Sequence, residues 1–184
     1  MSTTASTALS APATYSRLSI SLHWVMLVLM AAVYACIELR ELYPRGSDIR
    51  EGLKAWHFML GLLVFVLVLG RMVARWRGPR PSGRASPQEW LGRLMHIALY
   101  ALMIVMPIMG WVILSAEGKP IPFFGLSLPP LTGPDDAFAH QFEDLHETIG
   151  ELGYWMIGLH AAAALVHHYV LRDGVLLRML PFRR

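Results

Sequence analysis

A chain of 184 residues that is 55% hydrophobic and only 16% charged, with a mean hydropathy of +0.45, excludes an ordinary soluble globular domain and points to a membrane protein. The net charge of +3 is small, and no nucleic-acid partner is expected. The single cysteine, Cys36, excludes an internal disulfide.

In chain order, the first sixteen residues are rich in Ser, Thr and Ala without an apolar period. They predict a disordered extension ahead of one domain over 17–184. A cleaved signal is not expected there, because Arg17 is the basic residue before an apolar run that is too long and carries a histidine. Four segments then have the ~20 apolar residues needed to cross ~30 Å of hydrocarbon: Ile20–Glu38, Ala55–Val73, Leu94–Ser115 and Ile149–Leu171. Unpaired backbone is not tolerated in lipid, so each span is predicted helical. The fold class is an all-α integral membrane four-helix bundle.

With both termini on one side, that side gathers Arg17, the arginines of 71–93 and those of the tail. This is eleven of the sixteen Lys and Arg residues against only Glu89 and Asp173, a net +9. The opposite side carries Arg40, Arg45, Arg50, Lys54 and Lys119 against eleven acids, a net −6. The positive-inside rule makes the first side cytoplasmic. Membrane lipid as surroundings and cytoplasmic termini follow as expectations.

The histidines sort by depth along these spans. His57 and His146 fall near the outer surface. His23, six residues after Arg17, falls in the inner half. His160 follows His146 by fourteen residues, which at ~1.5 Å and ~100° per residue is ~21 Å further along the helix and about 40° from the same face. One span thus offers an imidazole to each leaflet, with His57 at the depth of the first and His23 at the depth of the second. Two facing imidazole pairs stacked across a bilayer suit two haems, each iron taking one nitrogen from each of two helices. Gly61, Gly70, Gly153, Gly158 and the run 161–164 supply small residues where a macrocycle needs room.

His96 and His167 fall near the inner surface. His167 is about 20° from the face of His160 and one stage outward, where a membrane quinone needs a hydrogen-bond partner and a proton relay. His96 can serve there or replace His23 as a ligand, and spacing leaves the two open. Arg71, fourteen residues after His57, faces either a haem propionate or the lipid interface. His168 reads as interfacial and His140 as a solvated loop residue. Pro107 predicts a kink in the third span, and the tryptophans near span ends read as interfacial anchors.

The stretches "YSRLSISLHW", "LHETIGELGYWMIGLHAAAALVHHY" and "LLRML" resemble the bacterial cytochrome b561 family, most closely its small stand-alone members that oxidise superoxide. The likeness runs from about Tyr15 to the C-terminus. The resemblance implies a di-haem b cytochrome of the bacterial inner membrane, with the inner haem on His23 and His160 and the outer on His57 and His146. It thereby favours His23 over His96. It also implies a ubiquinone site near His167, with His96, Ser21 and Arg17 as neighbours, and a reaction carrying electrons from superoxide to ubiquinone. Arg45, Arg50 and Lys54, just before His57, are the local attraction for the superoxide anion. The net −6 of that face opposes it and keeps open a periplasmic protein as electron donor. A non-redox metal carrier is the third reading. Against it, hard cations want oxygen ligands that the mid-membrane histidines lack.

Overall fold

The computed structural model describes residues 15–77 and 87–180. Most of the expected disordered extension, and Arg80, Arg84, Arg183 and Arg184 of the basic inner face, lie outside the described residues. Four long helices carry the chain, α1 (Arg17–Leu39), α2 (Asp48–Arg77), α3 (Pro87–Ala116) and α4 (Asp136–Val166). All four are long and apolar enough to span a membrane. The first three predicted spans lie within α1, α2 and α3, and the fourth begins inside α4 and ends in the π-helical turn His167–Leu171 that continues it. At ~1.5 Å per residue, a helix of 30 residues such as α2 is ~45 Å long, and its charged ends stand in the headgroup layers.

The starts are set by local chemistry. Ser16 caps α1, its hydroxyl accepting from the Ser19 N–H at 3.2 Å, and Asp135 caps α4 by accepting from the Phe138 N–H at 3.0 Å. Asp48 and Glu51 in the first turn of α2, with Arg75 and Arg77 in its last, match the helix dipole. The cap at Asp135 starts α4 early enough to include His140, which is helical rather than a loop residue, although exposed as expected. Helix α3 runs through Pro107 unbroken.

Between α3 and α4 lies a hairpin that the apolar count did not register. Strands β1 (Ile121–Phe123) and β2 (Leu126–Leu128) pair antiparallel, Ile121 opposite Leu128. Its two turn residues both have positive φ, Phe124 at 47° and Gly125 at 86°, the twist two-residue hairpins favour. Ile121 packs against Leu62 and Leu114. The Trp111 indole N–H donates to the Pro129 carbonyl at 2.9 Å, and the Ser115 hydroxyl accepts from the Leu131 N–H at 3.0 Å. The loop is thereby fastened over the outer ends of α2 and α3.

The main core sits between α1 and α2, with Met26 and Leu29 against Val64 and Val68, and Tyr100 and Met103 of α3 closing over them. Close backbone packing joins α1 to α2, α2 to α3 and α3 to α4. Helix α4 has no comparable packing on α1 or α2. It meets them through side chains, and the histidines are among those.

Candidate functional site

On the outer half, the His57 ring of α2 and the His146 ring of α4 face each other with centres 6.3 Å apart. His57 Nδ1 lies 3.0 Å from the Val33 carbonyl. An N–H donated there leaves Nε2 as the nitrogen with a free lone pair, the arrangement a metal-binding imidazole uses. His146 Nδ1 is buried without a hydrogen-bond partner. A cavity of about 540 Å³ opens between these rings, bounded by Val33 and Tyr34 of α1, Gly61 of α2 and Gly150 of α4, a size usual for cofactor pockets. A Cβ on Gly61 would meet nothing within 4 Å.

On the inner half, His23 of α1 faces His160 of α4 with ring centres 6.4 Å apart. An iron bonded at about 2 Å to each of two imidazole nitrogens, with each ring centre about 1 Å behind, needs centres about 6 Å apart. Both pairs fit, and they agree with each other within about 0.1 Å. His96 lies closer to His160, at 5.3 Å, which is contact between rings rather than the spacing of a shared iron. Its Nδ1 sits 2.6 Å from the Gly92 carbonyl of its own helix.

Arg71 is turned into the protein, only 5% exposed, so it does not reach out to the lipid interface. Its Nη1 donates to the Ser19 carbonyl at 3.1 Å and its Nε to the Tyr100 hydroxyl at 3.3 Å. Both partners are neutral. Among the described residues no carboxylate pairs with it, which leaves a buried cation suited to an anionic group.

Two tyrosines, which the histidine spacing gave no means of finding, join α1 to α4 across the outer site. The Tyr34 hydroxyl donates to the Gly150 carbonyl at 2.9 Å, and its ring packs against Tyr154 at a tilt of 48°, centres 4.3 Å apart. The Tyr154 hydroxyl donates to Glu38 at 2.6 Å. Gly153 is required here, since a Cβ on it would overlap the Tyr34 hydroxyl.

The three outer cations read from sequence separate. Arg50 is committed to its own loop, donating to the carbonyls of Arg40 and Tyr43 and to the Glu41 carboxylate, the last at 2.9 Å. Arg45 is exposed. Lys54 lines the cavity mouth and lies 3.6 Å from Glu51. Arg40 and Lys119 also reach the mouth, against seven glutamates, among them Glu38, Glu143 and Glu147.

At the inner end, α4 passes at His167 into a π-helical turn, His167–Leu171. His167 Nδ1 is 2.5 Å from a carboxylate oxygen of Asp173. Burial pushes the Asp173 carboxyl up, but the hydrogen bonds from His167 and the Val175 N–H and the charge of Arg178 outweigh it and hold it below the usual carboxylate range. The tail folds back on α1, where the Trp24 indole donates to the Met179 carbonyl at 2.7 Å. Arg17 and Ser21 are exposed on α1, one turn apart and on the side away from His23. Among the described residues, no group of three or more His, Cys, Asp and Glu side chains is arranged to hold a metal ion.

Residues 14–182 match the family model described as prokaryotic cytochrome b561. The chain is 35% identical to cytochrome b561 homolog 1 of Escherichia coli (strain K12), the match covering 92% of this chain and 98% of that protein. It is 36% identical to a probable superoxide oxidase, CybB, of Yersinia pestis, over 92% and 97% respectively. Cytochrome b561 homolog 2 of E. coli is 29% identical over 92% of each chain.

Proposed function

The chain belongs to the prokaryotic cytochrome b561 family of membrane haem proteins that transfer electrons, and from that premise we propose that it oxidises superoxide at its outer face and reduces ubiquinone at its inner face. Two haem b groups, when bound, supply one-electron carriage across the membrane. The observation that carries the reading is α4 itself, with His146 and His160 each facing a histidine of another helix at the same spacing, 6.3 and 6.4 Å. His57 and His146 hold the outer haem. His23 and His160 hold the inner one, beside Arg71, whose charge balances a propionate. The relative in Yersinia pestis that carries the name probable superoxide oxidase supports superoxide as the donor.

The reaction consumes two superoxide anions, one ubiquinone and two protons, and releases two oxygen molecules and ubiquinol. Lys54 at the cavity mouth, with exposed Arg45 nearby in sequence, attracts the anion. Arg50 acts on it only by holding the loop. His167 at the inner edge receives the quinone oxygen and supplies a proton. His96, Ser21 and Arg17 complete its surroundings. The orientation is cytoplasmic at both termini, in the bacterial inner membrane, with the domain over 17–184.

The seven glutamates at the mouth favour a second reading, a basic periplasmic protein as electron donor. Mixing oxidised protein with superoxide in a stopped-flow instrument at increasing salt separates the two. Direct oxidation of superoxide predicts rapid haem reduction that slows with salt, because screening shortens the reach of the mouth cations to ~8–10 Å near physiological ionic strength. Absence of reduction, or faster reduction in high salt, contradicts it and favours the protein donor.

A further inference from the structure

His167 is not a lone imidazole. Asp173 lies six residues on, a spacing that puts two side chains on different faces of an α-helix. Two departures from α-helical geometry bring them together. The π-helical turn at His167–Leu171 inserts a residue into the register, a feature common at functional sites. Arg172 then takes a left-handed conformation, φ 53° and ψ 34°, costing about 1 kcal/mol for a residue that is not glycine. The chain doubles back, and the Asp173 N–H donates to the His167 carbonyl at 3.3 Å.

The carboxylate is fixed at both oxygens. One accepts from His167 Nδ1 and the other from the Val175 N–H at 3.0 Å. The Arg178 guanidinium, donating to the Asp173 carbonyl at 3.3 Å, holds the backbone. A carboxylate fixed on Nδ1 sets the tautomer and directs Nε2 away from the tail. Both side chains are about a third exposed, so protons reach the pair from water.

We propose that Asp173 is a positioning residue that makes His167 Nε2 the atom exchanging protons with bound quinone. This rests on the reading of His167 as the quinone partner. With the imidazolium formed, Nδ1–H donates to Asp173 and Nε2–H to a quinone oxygen. As the quinone takes two electrons, originating in two superoxide anions, that oxygen takes the Nε2 proton and its C=O becomes C–OH. His167 regains a proton from water, and the second quinone oxygen takes the other proton from water. No bond of the chain is broken.

The test uses detergent-purified protein with its haems pre-reduced, mixed with a short-chain soluble ubiquinone while haem oxidation is followed against quinone concentration. Asp173→Asn lowers the limiting rate about 10–100-fold, the usual effect of losing a partner that orients an imidazole. The half-saturating quinone concentration stays within about twofold, and haem content and spectra stay those of the parent. His167→Gln is at least as slow. The double variant is no slower than His167→Gln, since the two residues act as one unit. Asp173→Glu, which keeps a carboxylate, recovers part of the rate.

The proposal is overturned if Asp173→Asn reacts at the parent rate while His167→Gln is slow. It is also overturned if the two losses multiply, if only half-saturation changes, or if Asp173→Glu is as slow as Asp173→Asn. A His167→Gln protein at the parent rate is a different pattern. It refutes the quinone-site reading itself, and the proposal with it.

Discussion

Gly153 stands seven residues from both His146 and His160 on α4, and replacing it with alanine tests whether α1 and α4 are held as described. The added Cβ would overlap the Tyr34 hydroxyl and lie 3.2 Å from Leu102 Cδ2. To clear it, Tyr34 must give up its 2.9 Å hydrogen bond to the Gly150 carbonyl and shift from its 4.3 Å tilted contact with Tyr154. The hydrogen bond is worth about 1 kcal/mol, the aromatic pair about 0.5–1.5 kcal/mol, and the forced packing adds about 1–3 kcal/mol. Alanine returns about 1 kcal/mol through helix propensity. The net expectation is destabilisation by about 1.5–4.5 kcal/mol. Gly158→Ala is the control on the same helix, because a Cβ there meets nothing within 4 Å, and it should be neutral or stabilise by up to about 1 kcal/mol. The assay is the temperature at which purified protein loses its haem absorption in detergent. Adding Tyr34→Phe to Gly153→Ala removes the overlapping oxygen and should raise that temperature. A Gly153→Ala protein as stable as Gly158→Ala, or one not improved by Tyr34→Phe, refutes the reasoning.

Arg71→Met removes a buried cation and should lower the midpoint potential of one haem only, by several tens of millivolts, the effect of a unit charge about 10 Å away at an effective dielectric of about 20. Equal shifts of both haems, or none, in a potentiometric titration would place Arg71 elsewhere in the mechanism. Lys54→Gln should slow haem reduction by superoxide and weaken its salt dependence in stopped-flow traces, whereas Arg50→Gln should act on stability, read by thermal denaturation, because its guanidinium is bound to the loop. A C-terminal reporter active only in the cytoplasm should work and one active only in the periplasm should fail; the reverse would invert the electron path.

What the sequence disclosed followed from periodicity. Fourteen residues return a helix to nearly the same face, so His146 and His160 were legible as one line and their partners as residues of matching depth. Depth alone leaves His23 and His96 open as partners for His160, because both sit near the same level; the proposed inner pair rests on the ring spacings, 6.4 Å for His23 and 5.3 Å for His96. Burial settles where Arg71 turns, a question spacing had left even. Contacts between distant parts of the chain were out of reach. Tyr34 and Gly150 are 116 residues apart, and nothing local to either marks the pair. In sequence Asp173 stands out only as one of two inner acids, because its approach to His167 depends on a π-helical turn and a left-handed arginine, neither of which leaves a regular period. Sequence shows Arg50 only as a charge, while its loop uses it as a hydrogen-bond donor. The hairpin at 121–128 is too short for its alternation to stand out beside long apolar runs.

The central claim is that α4 supplies one ligand to each of two haems, and haem per chain measures it most directly. Purified protein should carry two. His57→Ala and His146→Ala should each retain one haem, His23→Ala and His160→Ala should each retain the other, distinguished by midpoint potential, and His96→Ala should retain both. One haem in the parent protein, or a haem lost from His96→Ala but kept by His23→Ala, would contradict the account.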